Sequence, residues 1–173
     1  FPFRAESVDV FEWAAGLSSS WKPKYYLALA RWGLNDLAGA RDLLASLGDT
    51  PGYAPFHAAR AQAFSTASPP RALADLERAA ALDPGGWRYG KLLAEHLLDM
   101  GQVERAREVA ARYAAANPRN YVLGMLHART LLQTGRHAGA DALLPRLEVL
   151  PLEGATEGRQ LWREAQLMLA VTA

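Results

Sequence analysis

Apolar residues along this chain recur at intervals of three and four rather than two, the spacing of helices that each bury one face. Alanine, leucine and arginine, all good helix formers, dominate the periodic stretches. Breakers separate them: 48–52 (GDTPG), 68–70 (SPP), 83–86 (DPGG), Asn117-Pro118 and 151–154 (PLEG). The pattern predicts paired helices at 22–34 with 37–48, 54–66 with 70–82, 87–100 with 103–116, and 120–134 with 137–149. One more helix is expected before them, at 5–16, and one after them, at 156–171. Asn35, Gly101 and Gly135 fall between paired helices, where a residue tolerant of positive φ ends the first helix at low cost. Pro70 and Pro84 fit helix starts and turns between pairs.

A longer period overlies the helical one. Ala94, Leu97, Gly101 and Ala106 recur 34 residues later as Ala128, Leu131, Gly135 and Ala140, and Pro118 recurs one short as Pro151. Ala28, Ala40 and Pro51 stand 33, 32 and 33 residues before Ala61, Ala72 and Pro84. Such a period marks stacked units, each too small to bury its own core. Alanine at matching places on both helices of each pair lets them approach closely. Leu27, Leu44, Leu47, Leu76, Leu93, Leu97, Tyr113, Leu131, Leu144 and Leu147 are expected to fill the remaining space as core.

These positions resemble the tetratricopeptide repeat. The third unit fits best, through Leu93, Ala94, Leu97, Gly101, Ala106, Tyr113 and Pro118, and the fourth repeats it through Ala128, Leu131, Gly135, Ala140, Leu144 and Leu147. The first unit has Arg31 where that family has a large apolar residue, and the second has a turn one residue shorter. The resemblance implies an all-α, right-handed α–α superhelix of about four helix pairs plus a helix at each end. The expected division is a lead-in at 1–20, repeats at 21–52, 53–86, 87–119 and 120–152, and a capping helix at 153–173. The segments FPFR at 1–4, WKPKYYLAL at 21–29 and APFHAARA at 54–61 also look like the repeat region of certain bacterial proteins. In those, a large β-rich, mutarotase-like domain precedes the repeats. That likeness, with a start at Phe1 rather than methionine, makes the chain an expected segment of a longer protein in a carbohydrate context.

At the ends, 5–16 reads as the second helix of a truncated leading unit, with Val10 and Trp13 in the places of Leu44 and Leu47. The last helix carries Leu161, Trp162, Ala165, Met168 and Leu169 as a stripe that caps the array. Leu167 and Val171 widen it into a face on which a second copy can dock.

Composition narrows the function classes. Half the 173 residues are hydrophobic, enough for a core. Nineteen basic against 18 acidic side chains give a formal charge of +1, which speaks against a nucleic-acid partner. Sixteen of the basic residues are arginine, a usage that reads as GC-rich bacterial coding. Without cysteine there is no thiol chemistry and no Cys-based metal site. No apolar run approaches a membrane span and no leader is apparent, so a cytoplasmic protein is expected.

Candidate chemistry is sparse. Glu104 and Glu108 share a helix face, but Arg105, Arg107 and Arg112 beside them make it a solvated charged face rather than an acid–base pair across a cleft. Of His57, His96, His127 and His137, none has a second histidine at ligand spacing, and His96 with Asp99 lacks a third group. The segment 18–20 (SSS) reads as a linker and helix start, and 83–86 lacks the spacing of a phosphate loop. No enzyme, cofactor or metal is therefore expected.

The resemblance implies a concave face built by the first helix of each pair. Helical phase puts Lys22, Tyr25, Leu29 and Trp32 there in the first unit, and Gln62 with Ala58 and Ser65 in the second. Arg88, Lys91, Glu95 and Leu98 follow in the third, and Met125, Arg129 and Leu132 in the fourth. Co-chaperone members of the family clamp a terminal carboxylate with Lys and Asn. Leu29, Gln62, Glu95 and Arg129 occupy the Asn places here, which argues against such a clamp. The reading is a non-catalytic interaction module for a peptide, a helix or a neighbouring domain of the same chain. Tyr25 and Trp32 are the expected anchors, with Arg88, Lys91 and Arg129 supplying polarity. The rival is an accessory or self-association region of a carbohydrate-active protein.

Overall fold

The computed structural model describes residues 4–147 and 155–172. Its helices are α1 Glu6–Leu17, α2 Trp21–Gly33, α3 Leu37–Ser46, α4 Ala54–Phe64, α5 Pro69–Leu82, α6 Trp87–Asp99, α7 Val103–Ala116, α8 Tyr121–Gln133, α9 His137–Leu143 and α10 Ala155–Thr172. No strand occurs among the described residues. The chain divides into two compact units, Phe1–Asp83 with α1–α5 and Pro84–Ala173 with α6–α10. In the first, α2 packs on α3 and α4 on α5, α3 touches α4, and α1 lies on α2. In the second, α6 packs on α7 and α8 on α9, α7 lies against α8, and α10 covers α8 and α9.

Every predicted helix forms, and one is shorter than expected. The helix predicted at 137–149 ends at Leu143 and tightens into a 3-10 turn, Leu144–Arg146. Pro145 has no N–H to continue the α-helical ladder. The predicted turn at 151–154 with Pro151, the end of the helix at 148–149 and the FPF segment at 1–3 lie outside the described residues.

The turns follow the sequence closely. Asn35, Gly101 and Gly135 have φ of 68°, 72° and 71°. Each is followed by the same closing bond, in which the next residue donates five places back. Asp36 N–H reaches the Arg31 carbonyl at 2.9 Å, Gln102 that of Leu97 at 2.8 Å and Arg136 that of Leu131 at 2.8 Å. These bonds satisfy carbonyls that the helix end would otherwise leave bare. The shorter turn between α4 and α5 closes with Ser68 N–H on the Phe64 carbonyl at 2.8 Å instead.

The alanines predicted to let helices meet are among the most buried of the described residues: 28, 61, 94 and 128 on first helices and 40, 72, 106 and 140 on second ones have at most 1 % exposure. Around them, Tyr25, Leu44, Leu47 and Phe56 form the main apolar cluster of the first unit. Met125, Leu131, Leu132, Leu144 and Leu161 form that of the second. Gly90, one turn before Ala94, extends the rule, because a Cβ there would run into the ring of Tyr113 on α7.

The ends depart from expectation. Val10 and Trp13 are 60 % and 69 % exposed rather than core, because α1 turns its Phe11 side to α2, stacking that ring on Tyr26 at 5.9 Å. On α10, Leu161 and Ala165 are buried as a cap should be, whereas Trp162, Leu167 and Val171 stay exposed.

Two measurements test this packing. Gly90→Ala must displace a buried aromatic ring, so it should lower the unfolding free energy by about 1–3 kcal/mol in urea melts, although alanine is the better helix former. His127, on α8, is held below its ordinary pKa of 6.5 by burial and then by the charge of Arg107. The unfolded chain therefore takes up a proton near pH 6.5 that the folded chain refuses. Stability is full above that value and falls as pH drops through the window between it and the lower folded value. His127→Gln should flatten this part of a plot of stability against pH.

Candidate functional site

The expected partner-binding residues divide by burial. In the first unit, Lys22 and Gln62 are exposed, and Leu29 and Trp32 are half-buried against the core. Tyr25 is turned inward, its ring 5.8 Å from that of Trp21, 6.1 Å from that of Tyr53 and 5.8 Å from that of Phe56. The start of α2 is fixed by Ser20, whose hydroxyl accepts from Lys22 N–H at 3.4 Å, as expected of that polar segment.

In the second unit, Arg88 is exposed and holds its guanidinium 4.7 Å above the Trp87 ring. Lys91 and Glu95 on α6 form an ion pair at 2.7 Å. Met125 is buried in the cluster that includes Leu161 and Ala165 of α10. Arg129 is paired with Glu157 of the same helix. The C-terminal helix thus lies on the fourth pair's first helix and engages Met125 and Arg129, two of the three residues expected to face a partner there.

A cluster that sequence reasoning did not single out sits in the first unit. Arg60, Asp75 and His57 are all buried, with 3 %, 3 % and 2 % exposure. Asp75 on α5 accepts from Arg60 Nε at 2.8 Å and from Arg60 Nη2 at 2.6 Å, a bidentate fork. His57 Nδ1 lies 3.0 Å from the Asp75 carboxylate, and His57 Nε2 donates to the Pro51 carbonyl at 2.9 Å. Arg60 also donates from Nη1 to the Gly48 carbonyl and from Nη2 to the carboxylate of Asp49, the latter at 2.6 Å. One buried carboxylate and one guanidinium thereby tie α4, α5 and the loop at 48–51 together.

Electrostatics follow from these bonds. Burial works against the charge on Arg60, but its hydrogen bonds with Asp75 and Asp49 outweigh it and hold the guanidinium above its ordinary pKa. The Arg60 hydrogen bond, and then its charge, hold Asp49 below the usual carboxylate value. The signal that points to the cluster is visible in the sequence. Asp75 lies on the line 72, 75, 76, 79, which is otherwise apolar, and His57 and Arg60 are three apart, next to the core residues Phe56 and Ala61.

Neither of the residues weighed for catalysis is arranged for it. Glu104 is bonded to Arg136 at 2.7 Å and to Arg107 at 2.9 Å, which hold its carboxyl below the ordinary value, whereas a general acid needs the opposite shift. Glu108 is exposed on the same helix. Among the described residues, no group of three or more His, Asp or Glu side chains is placed to hold a metal ion. No helix among them is long and apolar enough to cross a membrane.

Removing Asp75 should expose how much depends on it. Asp75→Ala leaves Arg60 and His57 buried without their acceptor and should cost about 3–5 kcal/mol of stability. Asp49→Ala removes a carboxylate that is 89 % exposed and should cost about 1 kcal/mol or less. Paired denaturant melts of the two variants check both values.

A family model described as a tetratricopeptide repeat matches residues 63–129. No curated protein matches the sequence. Several solved structures share the fold. YrrB, described as a TPR protein with an unusual peptide-binding site, superposes with a TM-score of 0.70 at 14% identity, covering 95% of this chain and 81% of its own. MamA superposes with a TM-score of 0.67 at 12% identity, covering 95% of this chain and 88% of its own. TTC0263, a thermophilic TPR protein of Thermus thermophilus, gives 0.61 at 19%, covering 92% and 89%. At these identities the likeness carries the fold alone, and with the matched span it makes this chain an all-α protein of the TPR-like solenoid class, with the repeat's sequence pattern running through residues 63–129.

Proposed function

We propose that the chain is a non-catalytic protein-interaction module that receives a peptide, a helix or a neighbouring domain on the exposed sides of the first helices within each of its units. The observation that carries this reading is what those helices leave accessible. On α2 these are Lys22 and the outer part of Trp32, on α4 Gln62, and on α6 Arg88 stacked over Trp87. An aromatic ring and an arginine held in place by another ring are the side chains that binding hot spots favour. YrrB, which shares the fold, is described by its peptide-binding site, and this chain's interaction role is proposed by that likeness. Tyr25, Met125 and Arg129 act in this reading as supports, since packing or ion pairing already engages them. A second reading, self-association through α10, is favoured by the exposure of Trp162, Leu167 and Val171 on that helix.

Photo-cross-linking separates the two readings. With a benzophenone amino acid at Gln62 or Arg88, adducts to one non-self protein are expected, and Lys22→Ala with Trp32→Ala should lower the Gln62 yield several-fold. The same probe at Arg112 on α7 should give none. Adducts from Arg112 alone would reject the first-helix face, and adducts between two copies from Leu167 would favour α10.

A further inference from the structure

We propose that a cavity in the first unit is a second binding site, one that takes acidic peptide segments through their side-chain carboxylates. The cavity measures about 530 Å³ and is lined by Asp49, His57, Arg60, Arg71, Asp75 and Arg78 together with small residues. That volume lies within the range of about 300–1,000 Å³ usual for ligand pockets. It is formed by α4, α5 and the loop before α4. His57 and Arg60 belong to the side of α4 turned towards α5, whereas Gln62 belongs to its exposed face. The site therefore does not rest on the first-helix face proposed above.

The charge of the lining selects an anion. Three guanidiniums face two carboxylates, which leaves a positive surplus whatever the state of His57. Asp75 and Asp49 are both engaged by Arg60, whose single charge offsets one of the two, so Arg71 and Arg78 together face one remaining carboxylate charge. Arg71 and Arg78 make no ion pair among the described residues. Arg71 is held instead by its guanidinium lying 4.5 Å above the Phe64 ring, a contact that orients the group and leaves its N–H donors for another acceptor. Arg60 itself uses four of its five N–H groups on Asp75, Asp49 and Gly48, so it is largely spent within the cluster.

Spacing favours several carboxylates over one compact dianion. Arg71 and Arg78 are seven residues apart on α5, so their backbones stand about 10 Å apart. Two separated cations match acidic groups strung along a chain. The exposed Asp49 carboxylate on the same lining repels a phosphate dianion more than it repels a single carboxylate. The buried fork between Arg60 and Asp75 gives the cavity a fixed floor, so little ordering remains to oppose binding.

The test uses calorimetry on the whole chain with three probes. They are an acetylated, amidated octapeptide containing four glutamates, its glutamine counterpart with a free C-terminal carboxylate, and inorganic phosphate. The glutamate peptide should bind saturably and at least tenfold more tightly than the other two, and more weakly as salt rises. Arg71→Gln with Arg78→Gln should weaken it at least tenfold at an unchanged thermal midpoint. Lys22→Ala with Arg88→Gln, on the first-helix face, should leave it unchanged. If the double arginine variant loses stability, Arg78→Glu alone, at an exposed position, should still weaken binding at least tenfold. Absence of saturable binding, equal binding by the arginine variants, tighter binding of phosphate or of the free terminal carboxylate, or loss in the Lys22 and Arg88 variant would each overturn the proposal.

Discussion

The close approach of paired helices at alanine sets the terms for everything else in this chain. A methyl group at positions 28, 61, 94 and 128, and another at 40, 72, 106 and 140, brings two helix backbones near enough for the larger neighbours to interlock. Each alanine contributes little apolar area itself. What it provides is distance, because a bulkier residue would hold the pair apart and strip contacts from the leucines and aromatics around it. Gly90 takes the same principle to its limit by admitting the flat ring of Tyr113 against the α6 backbone. A single hairpin built this way buries too little to stand alone, so successive pairs have to stack.

The second pair meets that requirement with polar chemistry as well as apolar packing. Apolar replacements for a buried ion pair are often at least as stable, so Asp75, Arg60 and His57 are not explained by stability alone. Their partners point to another role. The Gly48 carbonyl, the Asp49 carboxylate and the Pro51 carbonyl all belong to the connection between α3 and α4. Leucine at these places would fill space but leave that connection unanchored. A bidentate fork defines one register between α4 and α5, and its remaining donors define one path for the incoming chain. The same rigidity gives the adjoining cavity a floor that does not collapse.

Legibility from sequence followed how local each determinant is. The turns at Asn35, Gly101 and Gly135 need a positive φ, and that demand is written in the residue itself. The alanine ladder was readable because its period repeats. The end helices were not, since whether Val10 and Trp13 are core depends on which side of α1 meets α2. Helical phase locates a face but not the width of the buried stripe, so Tyr25, an expected anchor, and Met125 are packed inward. Arg129 finds Glu157 28 residues later, on α10, a pairing that no local spacing announces. Asp75 is harder to read, because an acid on a helix ordinarily faces water. Only its place in an alanine and leucine line marks it as buried.

The covering of α8 by α10 changes what a partner can meet in the second unit. Met125 and Arg129 are engaged by that helix, which leaves α6 as the more accessible first helix. There, Lys91 and Glu95 neutralise each other across one turn, so their pair offers hydrogen bonds more than net charge. Arg88, held over Trp87, is then the group with both an unspent charge and a fixed position. On the proposed interaction reading, a partner of the second unit is selected more by its fit to one stacked arginine and the indole beneath it than by overall charge. That agrees with a chain whose formal charge is close to balanced.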